Sequence, residues 1–252
     1  MTETDHALRL NGIRETVRTP LRLLVGQLRQ VLRDNLRSVT VVGSSLTEDF
    51  KPGVSDINTV VVLDKRSTPA LPLVASLAKP LRRQGLAAPL LVTASYIDRS
   101  RDVFGIEFLD FQLTHETIFG DDPFAALAFG KSHVRLQCER ELKAMLVKMQ
   151  QGYLTAGGAW RIVGEEVIAA VKQLAPLLRA MLWLKDVERP QTMTASLRKA
   201  SEQFHVELDA LIEADRWRQQ RRRLTAVEVE AGFEDVFAAV ENLTQIIDDF
   251  EL

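Results

Sequence analysis

The pattern of apolar positions changes character twice along the chain. Over Arg14 to Leu36, Leu21, Leu24, Leu28, Val31 and Leu32 recur at three- and four-residue spacing between Arg and Gln, which predicts an amphipathic helix with Pro20 at its true start or at a kink. The helical period then gives way to Val39, Thr40, Val41 and Val42, a β-branched run ending at Gly43-Ser44-Ser45, which reads as a strand entering a tight loop. After a turn at Pro52-Gly53, the continuous apolar run within Ile57 to Leu63 predicts a strand covered on both faces. Pro69 to Arg83 is expected to be helical, shortened by Pro72 and Pro80. Leu90 to Val92 is expected to be a third strand and Val103 to Asp110 a fourth.

Beyond Gly120 and Asp121 to Pro123 the strand signal disappears. Four helices are predicted, at Val134 to Leu154, Ala159 to Val187, Thr194 to Trp217 and Thr225 to Phe250. Thr225 and Glu228 have the spacing of a capping box. Trp160, Trp183 and Phe233 fall at helical spacing and are expected in the core. A strand-rich first part and an all-helical second part predict two domains, 1–130 and 131–252.

Composition adds limits. The 252 residues include 46% hydrophobic and 26% charged positions, an ordinary globular balance. A net charge of −2 gives no whole-molecule attraction for nucleic acid. The lone cysteine, Cys138, permits no intrachain disulfide, and the polar start Met1 to His6 lacks a signal pattern. Val167 to Leu184, interrupted by Lys172, Pro176 and Arg179, falls short of a membrane span. These features point to the cytoplasm and to no membrane partner. Around Trp217, the arginines at 216, 218 and 221–223 form a basic cluster. It reads either as a solvated helix end or as a nucleic-acid patch with Trp217 stacking a base.

The candidate chemistry lies between the first two strands. A Gly-Ser turn at a strand end exposes backbone N–H groups and a hydroxyl suited to phosphate oxygens. Asp56 and Asn58 are two apart at the start of the next strand, where alternation puts them on one face, able to offer oxygen ligands to a hard cation. A turn and a strand edge would also produce these residues without any ligand.

Val41-Val42-Gly43-Ser44-Ser45, followed by Ser55-Asp56-Ile57-Asn58 and a valine strand, resembles the motif of the DNA-polymerase-β-like nucleotidyltransferases, which include the minimal and aminoglycoside nucleotidyltransferases. The resemblance implies an α+β fold: a nucleotidyltransferase-like mixed sheet flanked by helices, followed by an all-α helical bundle. It implies transfer of a nucleoside monophosphate from a nucleoside triphosphate to a hydroxyl acceptor. Gly43, Ser44 and Ser45 would hold the triphosphate, and Asp56 and Asn58 would ligate Mg²⁺. A third carboxylate would come from a neighbouring strand. Glu107 and Asp110 are the candidates, and Glu107 is favoured as an acid in mid-strand. The family has an aspartate where this chain has Asn58. An amide brings no charge and bridges two ions poorly, so the alternative is a catalytically inactive nucleotide-binding or regulatory module. The helical part is also a candidate surface for homo-oligomerisation.

Overall fold

The computed structural model describes residues 8–65, 68–220 and 224–252. The chain divides into two compact units: one runs through Arg101 and resumes over Phe108–Ala128, the other takes Asp102–Glu107 and Phe129–Leu252.

In the first unit, helix α1 (Glu15–Leu32) is followed at once by strand β1 (Leu36–Val42) and then by β2 (Asn58–Leu63). Pro20 lies inside α1 rather than at its start. Two short helices, α2 (Ala70–Ala75) and α3 (Ala78–Arg83), replace the single prolyl-limited helix and lead to β3 (Leu90–Thr93). After α4 (Ala94–Arg99) come α5 (Gly105–Leu113) and β4 (His115–Phe119). The sheet order is β3-β2-β1-β4, with β1 antiparallel to both neighbours and β2 parallel to β3. The fold is thus a mixed sheet with flanking helices, followed by a helical region.

The segment over Val103 to Asp110 is a correction. It forms helix α5, not a strand, and the fourth strand is the next segment, His115–Phe119. Ile106, Phe108 and Leu109 are all buried. Ile106, Leu109 and Leu113 have i, i+3, i+7 spacing, which competes with the short alternation Ile106/Phe108 and prevails.

The apolar stripe of α1 (Val17, Leu21, Leu24, Val25, Leu28) packs on one face of the sheet, against Val39, Val41, Val61, Leu63 and Ile118. On the other face the Thr40 and Thr117 hydroxyls are 2.9 Å apart, so a buried polar pair satisfies itself. Beside β4, the Arg9 N–H donates to the Ile118 carbonyl at 2.9 Å. Its guanidinium donates to the Thr117 and Gly120 carbonyls.

The second unit contains α6 (Lys131–Ala156), α7 (Trp160–Leu184), α8 (Met193–Phe204), α9 (Asp209–Gln220) and α10 (Ala226–Asp248). Helix α7 contacts each of the other four. By length and hydropathy alone it could span a bilayer, but 61% of its most apolar window is buried inside the protein, as expected of a core helix. The segment predicted as one helix over Thr194 to Trp217 divides at His205, whose left-handed φ of 53° ends α8. Val206 and Leu208 then turn inward. Thr225 and Glu228 form the capping box on α10: each backbone N–H is received by the other side chain, at 2.9 and 3.3 Å. Trp160, expected in the core, is 43% exposed at the first position of α7, where the helix has no preceding turn to cover it.

Candidate functional site

Strand β1 ends at Val42, and the chain turns through a short 3-10 segment, Gly43–Leu46. Gly43 has φ 78°, a conformation glycine adopts freely. Its N–H donates to the Thr114 carbonyl at 3.2 Å, which ties the turn to the residue before β4. The Ser44 carbonyl accepts from both the N–H and the hydroxyl of Thr47. Arg14, just before α1, clamps the turn from outside the motif. Its guanidinium donates to the Ser45 carbonyl at 3.0 Å and to the Thr47 carbonyl, and it stacks 5.2 Å from the Phe50 ring centre. Nothing about a single arginine ahead of a helix marks this role in the sequence. Ser44 is half-buried. Ser45 is only 1% exposed, and its hydroxyl is buried without a hydrogen-bond partner. Of the two serines, Ser44 is therefore the one able to meet a ligand.

The sheet register builds one rung beside this turn: Val42 is opposite Asn58 on β2 and opposite His115 on β4. The Asn58 amide nitrogen is 3.8 Å from where a Cβ on Gly43 would stand, so Asn58 borders the turn directly. Asp56 precedes the strand and is exposed. It lines a groove under α2 and α3, and Asn58 is not among the residues lining that groove.

Glu107 is not on the sheet. It occupies the first turn of α5, where its carboxylate accepts from the Gln137 amide at 2.8 Å, while the Gln137 oxygen accepts from the Ile106 N–H at 3.0 Å. Asp110 lies on the same helix. The only carboxylate within the four strands is Glu116. It pairs in register with Val41, on the face packed by α1, and its carboxyl group is 3.0 Å from where a Cβ on Gly12 would stand. Among the described residues no three His, Cys, Asp or Glu side chains gather as a metal site. One exposed carboxylate and a neighbouring amide do not make the charged donor set that two Mg²⁺ ions require, so the residues present do not fit a two-ion centre.

His115 opens β4. Its Nε2 is 2.9 Å from Asp122 Oδ2, and its ring meets Phe124 edge-on at 5.6 Å. Asp122 Oδ1 also accepts from the N–H groups of Phe124 and Ala125. Partial burial pushes the Asp122 carboxyl up, but the hydrogen bond from His115 and the two backbone N–H groups outweigh it. The carboxyl is held below its ordinary range.

The basic cluster does not present an aromatic platform. Trp217 is 7% exposed, and its ring fills the space where a Cβ on Gly232 would stand. Arg216 pairs with Glu213 at 3.0 Å. Residues 221–223 lie outside the described residues.

No protein-family model matches the chain, and no curated protein matches it in sequence. Among solved structures it is similar to a spectinomycin adenyltransferase from Enterococcus faecialis, determined with ATP and spectinomycin. The two superpose with a TM-score of 0.59 over 92% of this chain and 99% of that one. The chain has a nucleotidyltransferase-like fold. At 12% identity the likeness is one of fold.

Proposed function

We propose that this chain is a nucleoside-triphosphate-binding module built on a nucleotidyltransferase fold, acting through binding rather than through metal-dependent transfer. One observation carries the reading: beside the Gly43 turn stands the amide of Asn58, and neither strand flanking β2 contains a carboxylate. Two-metal transfer depends on anionic ligands that place both ions and offset the charge gathering on the phosphates. A turn with a half-buried Ser44 and a neutral amide can meet phosphate oxygens without that charge. Asp56 remains as a single anionic group.

A second reading is transfer of a nucleoside monophosphate to a hydroxyl acceptor, with Asp56 and Glu107 as the acting carboxylates. It is favoured by the fold shared with an adenyltransferase determined with ATP and spectinomycin. In that reading Glu107 would act from the first turn of α5, where Gln137 holds it.

The variant Asn58→Asp separates the two. For a binding module, a new carboxylate beside the phosphates repels them, so ATP without Mg²⁺ should stabilise the variant less than the wild type. Transfer from α-labelled ATP should stay at background in both proteins. Label transfer by the wild type that disappears in Asp56→Ala would overturn the binding reading in favour of the second.

A further inference from the structure

The groove lined by Asp56 has a construction of its own. It encloses about 740 Å³ between α2–α3 and the segment that leads into β3, within the volume range of small-molecule sites. Small side chains open it on both walls, Ala75 and Ala78 on the helices and Ala87 and Ala88 opposite. Its floor is firm, because Leu81 is 2% exposed and belongs to the sheet's core. Neither Gly43, Ser44 nor Asn58 is among its lining residues.

Charge decides what this apolar trough would take. Lys79 and Arg82, one turn apart on α3, both line it, are exposed, and have no ion-pair partner among the described residues. Two uncompensated cations beside an apolar floor suit an anionic head joined to an apolar body. The third charge is Asp56, next to Ile57, which bridges to Leu86 across the groove's far wall. Two cations and one carboxylate leave a single net positive charge. That favours a monoanion over a polyphosphate.

We propose that this groove binds a small amphipathic anion: an apolar chain lying between the alanines, with one carboxylate or phosphate head at Lys79 and Arg82. The groove shares Asp56 with the proposed nucleotide site but none of the turn residues Gly43, Ser44 and Asn58, and its test does not depend on nucleotide binding. Calorimetric titration of the whole chain with decanoate and with decyl phosphate distinguishes the two head groups. Saturable one-to-one binding is expected for at least one of them, with decanol at least tenfold weaker. The double variant Lys79→Gln/Arg82→Gln alters only exposed side chains and should keep its melting temperature while losing at least tenfold in affinity. Ala78→Phe should fill the trough and block binding with both cations intact. Excess ATP should not displace the ligand. The proposal is overturned by no saturable binding at millimolar ligand, by wild-type affinity in both variants, or by displacement with ATP, which would make the groove a nucleotide site.

Discussion

Replacing Gly120 with alanine puts a methyl group where the backbone of the neighbouring strand already stands. At Gly120 an added Cβ would lie 1.9 Å from the Arg37 carbonyl oxygen and 2.8 Å from the Ser38 Cα, with φ at 74°. Gly43 has nearly the same φ, 78°, but the nearest atom to its added Cβ is the Asn58 amide nitrogen at 3.8 Å. The two positions therefore share a conformational penalty of about 1–2 kcal/mol for a left-handed alanine. Only Gly120 adds a collision with backbone, worth about 1–3 kcal/mol because the strand must move. Gly120→Ala should cost about 2–5 kcal/mol and Gly43→Ala about 1–2. For a unit of roughly a hundred residues, at about 5 °C per kcal/mol, that is about 10–25 °C against about 5–10 °C in melting temperature. Scanning calorimetry of both variants measures it. Equal losses at the two glycines would refute the close approach at Gly120 and the open space at Gly43 on which the site's geometry rests.

Three further outcomes follow from the same contacts. Ser45→Ala removes a buried hydroxyl that has no partner, so stability should stay level or rise by up to about 1–2 kcal/mol in urea unfolding, with ATP binding unchanged. Ser44→Ala, in contrast, should weaken ATP binding in a thermal-shift titration while leaving the fold intact, since Ser44 is the half-buried serine of the turn. Asp122 has a folded pKa below its ordinary 3.8. Its stabilisation is therefore complete above the unfolded value and lost as pH falls through the lower folded one. Asp122→Asn should flatten that acid limb in unfolding measured from pH 5 to 2.

What the sequence made legible was local and periodic. The α1 stripe, the valine strands on either side of Gly43 and the long helices of the second part each repeat over enough residues to outweigh local accidents. The capping box at Thr225 and Glu228 was readable because both partners lie within one turn. The segment around Glu107 failed for the opposite reason. Nine residues with apolar positions at both spacings fit helix or strand, and placing an acid in mid-strand depended on that choice. His115 to Phe119, with two polar residues ahead of Thr117, lacked strand signal and became one by pairing with β1. His205 ends a helix without glycine or proline, a tertiary demand that propensity does not record. At the candidate site, Gly43, Ser44 and Asn58 could be named from spacing. The clamp from Arg14, the burial of Ser45 and the His115–Asp122 pair could not, since each depends on contacts that form only in the folded chain.

The central claim, that the turn binds nucleotide without a two-ion centre, is tested most directly by calorimetric titration of the intact chain with ATP, once with excess Mg²⁺ and once with the metal removed by chelator. Saturable binding is expected in both, with dissociation constants agreeing within about threefold, or less than about 1 kcal/mol. Binding that appears only with Mg²⁺, or tightens tenfold or more when it is added, would contradict it, as would no binding under either condition.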